Sequence, residues 1–439
     1  MMLIQLQEQL LENTLLQHDV SFFHQFMEDG EEVAFTTQRG REANELCLRL
    51  KRSGDGIYAT GSYFVGVDWI KEQEMAVQVS PKMNDGFEID YVRMLNDALC
   101  EPENFNHLKD LINIKFEKPS VKIQQNKDLL SIFLVTEFLN VLQCIVKKGL
   151  KKGYITREEN LHNKVKGQIL VGRNIKHNLS KGNMTDNICR YHIYDIDTQE
   201  NRILKKALLL CGNLLKVYQY ALDVTVLQKK LKTIKPHFEN VSSDISNKTI
   251  KTFKVNPMFH EYHLAIKFAQ LLLHRFSYDI TIIGKEEINT PPFWIDMSKL
   301  FEMYVFHHLR QVFTEKGEVQ YHINVHHQEL DYLLKPKEWA NPYVIDAKYK
   351  PKYKYKGGIS TDDAREVAGY ARLSGIYDEL GMEEMAPPIK CLIVYPDQEE
   401  EEHFRFSRTE EPIFDKVSGY VRMYKIGVRL PEINVSESL

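Results

Sequence analysis

The chain has 439 residues, of which 43% are hydrophobic and 27% charged, and its formal net charge is −4. That length allows two or three domains with sizeable cores, in the composition range of a soluble globular protein. The slight acidic excess excludes a protein that binds polyanions through overall charge, so any such contact must come from local basic strips. No apolar run reaches the ~18 residues of a membrane span, and the start, Met1-Met2-Leu3-Ile4-Gln5, lacks the basic region and apolar core of a signal peptide. Cysteines 47, 100, 144, 189, 211 and 391 are scattered without a C-x-x-C pair. This spacing argues against a zinc ribbon or disulfide framework and for reduced thiols; the expectation is a cytoplasmic protein with no membrane contact.

In chain order, residues 1–115 mix short alternating runs (Glu32 to Thr37, Leu46 to Leu50, Tyr58 to Val67, Met75 to Val79) with glycines at 30, 40, 54, 56, 61 and 66. They read as a β-rich domain followed by a helix near Asp90 to Leu99. From 116 to 275 the period becomes helical, over Leu129 to Val146, Asn201 to Leu222 and His260 to Phe276, with 155–200 as a turn-rich excursion. Residues 276–439 alternate: helix 297–313, strands 328–334 and 343–349, helix 361–379, strand 389–395. The predicted fold is therefore multidomain α+β: a β-rich start, a helical middle and a carboxy-terminal α/β domain around a central mixed sheet.

Chemistry concentrates in that last part. Glu329-Leu330-Asp331-Tyr332 and Val344-Ile345-Asp346-Ala347-Lys348 are two apolar strands, each offering a carboxylate, with a lysine two residues after the second. Residues i and i+2 of a strand leave one face, so Asp346 and Lys348 project together. Two converging carboxylates suit a hard cation such as Mg²⁺, with Mn²⁺ as a substitute. A lysine beside it can orient or deprotonate water, or neutralise a phosphate; that is the chemistry of phosphodiester cleavage. The plain alternative is a surface strand carrying an Asp and a Lys.

Upstream, Leu300, Tyr304 and His307, with Met297, Phe301, Val305 and His308, make an amphipathic helix capped by Asp296 or Ser298. Glu302 sits between its apolar stripes. There it either meets a metal or bound water, or is an ordinary helix glutamate at the edge of the apolar stripe. Downstream, Lys348, Lys350, Lys352, Lys354 and Lys356 alternate with tyrosines. Extended, they would track a phosphate backbone, or else protect an edge strand. Arg365, Tyr370 and Arg372 on the following helix are further candidates for DNA contact. Glu366 shares a face with Tyr370.

Other signals carry less. Gly167-x-x-x-x-Gly172-Arg173-Asn174 has P-loop spacing without the Lys-Ser/Thr that would hold phosphate, so the chain itself is expected to bind no nucleotide. His260-Glu261-Tyr262-His263 has its histidines three apart, which excludes H-E-x-x-H. His322, His326 and His327 could bind metal, but just before Asp331 on a strand they read more readily as solvent or phosphate contacts.

With Asp331 as first acid and Asp346-Ala347-Lys348 as the D-x-K element, the core resembles the PD-(D/E)xK nuclease superfamily. A Q-x-x-x-Y helix often follows in that superfamily; here it reads Glu366-x-x-x-Tyr370, with Glu for Gln. More of the chain resembles McrC proteins: Gly61 and Val65-Gly66-Val67, Val79-Ser80-Pro81-Lys82, Gly149-Leu150-Lys151-Lys152-Gly153-Tyr154, Arg157-Glu158-Glu159, Lys166-Gly167-Gln168, Asp197-Thr198, Asn201-Arg202, Leu204-Lys205, Asp296-Met297, Leu300-Phe301-Glu302 and Ile345 to Lys350. The resemblance implies the Mg²⁺-dependent endodeoxyribonuclease subunit of a 5-methylcytosine-type restriction system. Such a subunit cleaves double-stranded DNA with a McrB-like AAA+ GTPase ring. Asp331, Asp346 and the Ala347 carbonyl would hold the metal, Lys348 and Glu302 would assist, and the β-rich first domain would stimulate the GTPase. Two readings compete: a non-catalytic adaptor that activates an AAA+ motor, and a stand-alone repair or recombination nuclease.

Overall fold

A computed structural model describes the chain except residues 1, 11–13, 17–26, 38–44, 55, 83–88, 99, 102, 105–110, 116, 125–128, 220–223, 254–258, 277–286, 355–358, 384–385, 401–403 and 433–439. The three successive segments read from the sequence map onto two compact units. One joins Met1–Gln124 to Glu287–Leu439, and the other is Gln125–Glu286.

In the first unit, the amino-terminal part holds a five-stranded sheet ordered Met2–Gln7, Met75–Ser80, Phe64–Lys71, Phe293–Asp296, Ile112–Ile114, and a four-stranded sheet of Thr14–Leu15, Gly56–Gly61, Glu45–Ser53 and Glu32–Thr37. The strand Phe293–Asp296 is one of the elements that join the two ends of the chain in a unit. It pairs with Phe64–Lys71 and Ile112–Ile114, although it lies within the segment assigned from sequence to the carboxy-terminal domain. Trp294 is fully buried among Ile4, Leu48, Met75 and Val77, and its indole N–H donates to Asp68 Oδ2 at 3.2 Å. Gly66 permits this approach, because a Cβ there would lie 2.0 Å from the Phe293 carbonyl oxygen.

The carboxy-terminal part of this unit is a six-stranded mixed sheet. Its order is Val319–Val325, Gln328–Leu334, Tyr343–Ala347, Lys390–Pro396, Met423–Val428, Asp415–Lys416. Tyr343–Ala347, Lys390–Pro396 and Met423–Val428 run parallel, and the other neighbours run antiparallel. The helix Met297–Val312 starts with Asp296 accepting the Lys299 N–H at 3.0 Å, the expected N-cap. It covers one face of the sheet, where Phe306 stacks on Tyr321 and Tyr332. Thr361–Tyr370 covers the other face through Ala364 and Val367, packed with Val344, Cys391 and Ile393. The helix expected over 361–379 breaks into Thr361–Tyr370 and Ser374–Leu380, because Leu373 turns to an extended conformation between them.

The second unit contains the helices Leu129–Lys148, Gln199–Tyr218, Thr225–Ile234 and His260–Arg275, and the shorter Val171–His177 and Asn247–Thr252. The excursion at 155–200 is a long ribbon: Gly153–His162 pairs residue for residue with Asp186–Asp195, and Gln168–Ile169 adds a short third strand. Its base is tied by Asn201, which donates to the Lys151 and Ile196 carbonyls and accepts from the Tyr262 hydroxyl at 2.9 Å. Arg202 clamps Asp197 through two bonds of 2.9 and 2.6 Å. The Asp-Thr-x-x-Asn-Arg motif therefore holds the ribbon to its helix.

Leu130–Lys148 is long and apolar enough to cross a membrane by length and composition, yet 78% of its most apolar window is buried within the fold. It is a core helix of this unit. Within it Glu137 is 1% exposed, and neither carboxylate oxygen has a hydrogen-bond partner among the described residues. Burial pushes its carboxyl well above the ordinary range. A carboxyl raised on folding adds stability below its unfolded pKa and loses it as pH rises from there. Glu137→Met keeps the shape and removes the buried polar group, and it is expected to stabilise the chain by roughly 1–3 kcal/mol at neutral pH. Urea unfolding at pH 4.5 and 8 checks this: wild type should weaken more than the variant over that range, and parallel curves would reject it.

Candidate active site

The candidate site grows from the end of one strand pairing. Gln328–Leu334 and Tyr343–Ala347 are in register at Leu334↔Tyr343, Leu333↔Val344 and Tyr332↔Ile345. Asp331 and Asp346 are the next residues along, where the paired register stops. Asp346 is 3% exposed. The backbone N–H of Ala347 donates to Asp331 Oδ2 at 2.8 Å, which fixes that carboxyl against the neighbouring strand. Lys348 extends the ladder through its N–H to the Val394 carbonyl at 2.8 Å. Its ammonium lies 3.1 Å from Asp346 Oδ2 and 2.9 Å from Glu366 Oε2, and Tyr370 in turn donates to Glu366 Oε1 at 2.8 Å.

Glu302 reaches the site from the helix on the opposite face of the sheet. Lys299, one turn earlier and 4% exposed, holds both its oxygens at 3.0 and 3.2 Å. His322 adds a third contact, with Nε2 at 2.8 Å from Glu302 Oε1 and 2.6 Å from the Lys299 ammonium. That nitrogen accepts from Lys299 or, when protonated, donates to Glu302; it does not do both. The other ring nitrogen meets Glu329.

The charges sort themselves accordingly. Burial and the neighbouring carboxylates of Glu302 and Asp346 push the Asp331 carboxyl well up. Burial also raises Asp346, with Lys348 opposing and Glu366 adding. Burial acts the same way on Glu302, but His322 and Lys299 outweigh it and hold that carboxyl low. Desolvation would lower Lys348, yet Asp346 and Glu366 win and keep it a firm ammonium. Asp331 and Asp346 thus crowd negative charge that a divalent cation would offset, and Asp346 Oδ2 is buried without a hydrogen bond of regular geometry. In donor type these residues fit Mg²⁺. Among the described residues, however, no group of three His, Cys, Asp or Glu side chains is arranged to hold a metal ion.

Several expected residues lie elsewhere. The lysine ladder does not form: the strand ends at Ala347, and Pro351–Lys354 is a 3₁₀ turn. Pro351 has no N–H to carry a strand onward. Lys350 therefore pairs with Asp363 at 2.6 Å and Lys352 is exposed, while the Lys354 side chain and all of Lys356 lie outside the described residues. Arg365 is exposed near Asp362 at 3.6 Å, Arg372 is exposed, and Tyr370 is engaged by Glu366. His326 and His327, with φ of 50° and 63°, form the two-residue turn of a hairpin rather than a ligand set. Lys299 and Glu366, which carry no site role in the sequence pattern, join the network, and His322 meets Glu302 rather than solvent or phosphate. The i, i+3 spacing of Lys299 and Glu302 was the one local signal for this network.

A family model for the McrBC 5-methylcytosine restriction system component matches residues 62–378. The chain belongs to this McrBC family. The matched span contains Lys299, Glu302, His322, Asp331, Asp346, Lys348 and Glu366. Among solved structures, the chain is similar to a half-complex from a tetradecameric assembly of Thermococcus gammatolerans McrB AAA+ hexamers with bound McrC. The identity is 13% over 97% of this chain and 94% of that chain, with a TM-score of 0.37. It is also similar to the McrBC complex of the same organism, at 14% identity over 72% and 89% of the two chains and a TM-score of 0.31. No curated protein matches the chain.

The Lys299–Glu302 pair gives a direct test. Lys299→Met leaves Glu302 with His322 as its remaining partner, so it should cost less than a fully broken buried pair, about 1–3 kcal/mol. Adding Glu302→Gln to that variant should recover most of the loss. Denaturant unfolding of the two single variants and the double variant measures the coupling; strictly additive losses would mean that the pair is not formed.

Proposed function

We propose that this McrBC family member is the Mg²⁺-dependent endodeoxyribonuclease of its restriction system and works with an AAA+ GTPase ring akin to McrB. The observation that carries the reading is the set of a buried Asp346 with the half-buried Asp331 and Lys348 where the register of two strands stops, with Glu302 acting on Asp331. Asp331, Asp346 and the Ala347 carbonyl would hold the cation, whose charge there would favour both an attacking water and the phosphate it attacks. Lys348, kept charged by Asp346 and Glu366, orients water and phosphate as a cation rather than removing a proton. Lys299 and His322 keep Glu302 ionised and directed. DNA would be met by Lys352, Arg365 and Arg372, with Lys350 and Tyr370 shaping the surface behind them.

The partner surface follows from exposed apolar side chains, which are costly unless covered. Among the described residues of the first 115, Leu15 is the one large apolar side chain that is exposed. The second unit's ribbon and its flanking helix expose Tyr154, Val171, Ile175, Met184 and Tyr194, with Tyr154 and Tyr194 paired across the strands at 5.2 Å. This favours the ribbon, rather than the β-rich start, as the element that engages the ring. Tyr154→Ser with Tyr194→Ser should weaken association with the AAA+ partner by about tenfold or more and leave the unfolding midpoint of the chain unchanged. Undiminished binding in a sedimentation or interferometry assay would move the contact elsewhere.

The nuclease reading is tested by incubating cytosine-methylated and unmethylated plasmid with Mg²⁺ and wild type or Asp346→Ala. The AAA+ partner is present or absent, with GTP or ATP. Cleavage that requires methylation, partner, nucleotide and Asp346 is the expected result. Cleavage by the chain alone, blind to methylation, would make it a free-standing nuclease. The lack of a three-ligand cluster among the described residues favours an adaptor as the second reading. Nucleotide hydrolysis stimulated without any cleavage would establish that one.

A further inference from the structure

Tyr349, the residue after Lys348, is 1% exposed and is gripped from the amino-terminal part of the same unit. Gln9 Nε2 donates to its backbone carbonyl at 3.1 Å. Its phenol points into a buried polar cluster with Glu8 and Tyr91, which are 1% and 3% exposed. Glu8 Oε1 accepts the Lys82 N–H at 3.1 Å. Glu8 Oε2 and the hydroxyls of Tyr91 and Tyr349 are buried together, and none makes a hydrogen bond of regular geometry. Burial pushes Glu8 up to about 8; contacts with Lys82 and Tyr349 hold it down and the charge of Asp296 adds to the rise. Glu8 is therefore largely an uncharged acid at neutral pH. On its other side the Tyr349 ring meets Phe301 at 5.8 Å, and Phe301 adjoins Glu302 in the helix.

Three elements distant in sequence thus converge on the residue that follows the candidate catalytic lysine. We infer that Glu8 and Gln9 are positioning residues for Lys348: they hold the main chain at Tyr349, and so fix the direction in which the Lys348 ammonium leaves the backbone toward Asp346 and Glu366. The inference rests on the reading of Lys348 as the cation that orients water and phosphate. Its physical basis is that small displacements of an orienting group are amplified in the rate and not in substrate affinity. Glu8 touches neither DNA nor metal in this scheme. It acts through Tyr349.

The test uses the full chain and its AAA+ partner, with Glu8→Ala, Glu8→Gln, Gln9→Ala and Tyr349→Phe. Two quantities are measured: kcat and KM for cleavage of methylated plasmid, and the rate at which the Lys348 amine of the chain alone is acylated, followed by peptide mass spectrometry. Glu8→Ala should lower kcat by about tenfold or more at unchanged KM and speed Lys348 acylation several-fold. Glu8→Gln, which keeps the shape and neutrality of the acid, should stay close to wild type in both. Gln9→Ala, which loses the bond to the Tyr349 carbonyl, and Tyr349→Phe, which loses the hydroxyl shared with Glu8 and Tyr91, should fall between and serve if Glu8→Ala does not fold. Equal losses in Glu8→Ala and Glu8→Gln, or Lys348 acylation unchanged in all four variants, would overturn the inference. Should wild type cut no DNA, the nuclease reading fails by itself, and the acylation comparison still decides whether Glu8 and Gln9 position Lys348.

Discussion

The constraint on which the site depends is the repulsion that Glu302 and Asp346 exert on Asp331, three carboxyl groups of which Asp346 is buried and the other two are largely withdrawn from water. Water would otherwise screen them, and burial removes it, so each must be offset locally or give up its charge. Glu302 is offset by Lys299 and His322, and Asp346 by Lys348. Asp331 has the Ala347 N–H at 2.8 Å and the more distant charge of Lys348, which burial and the neighbouring carboxylates outweigh, and accordingly it is displaced well above the ordinary carboxyl range. The Lys299 ammonium pairs with Glu302 and the Lys348 ammonium with Asp346 and Glu366, and neither pairs directly with Asp331 among the described contacts. This asymmetry is what distinguishes the arrangement from a structural ion-pair network, in which every acid would have its own base.

How much of this was legible in the sequence follows from how local each signal is. Asp331, Asp346 and Lys348 could be placed because strand alternation and D-x-K spacing are properties of a few consecutive residues. The helix after Asp296 was equally readable, since its cap and apolar period lie within sixteen residues. The His322 contact with Glu302 was not, because it joins a helix and a strand whose approach is set by packing of Phe306 on Tyr321 and Tyr332. The lysine ladder failed for a reason that stood in the sequence: Pro351 forbids the continued strand that the alternation suggested. The ribbon at 153–195 escaped because exposed strands alternate little between apolar and polar residues. Tyr154 and Tyr194 both face solvent, so their pattern resembles a loop.

The strand Phe293–Asp296 shows why segment boundaries drawn along the chain misjudge this fold. Its four residues are all buried, which gives no alternation to reveal the sheet that receives them. Its position is decided by Gly66, whose missing side chain admits the Phe293 carbonyl, and by Asp68, which accepts from the Trp294 indole. Once this strand is seated, Asp296 caps the helix that carries Lys299 and Glu302, so a sheet built mainly from the first eighty residues sets where that helix begins.

The two sides of the chain around Asp346 divide the work between chemistry and anchorage. Val344, Asp346 and Lys348 turn to the face covered by Thr361–Tyr370, where Glu366 meets the lysine. Tyr349 turns the other way, toward Phe301 and the Glu8–Tyr91 cluster. The side-chain alternation of the strand carries on through Lys348, whose N–H still bonds the Val394 carbonyl, so residues that reach the site alternate with residues turned to the other face. A slip of one residue would bury Lys348 where Tyr349 now packs and expose a phenol to Glu366. The contacts that Gln9 and Phe301 make with Tyr349 oppose that slip on the face away from the carboxylates, and they do so without adding another charge to a site that already carries more than burial tolerates.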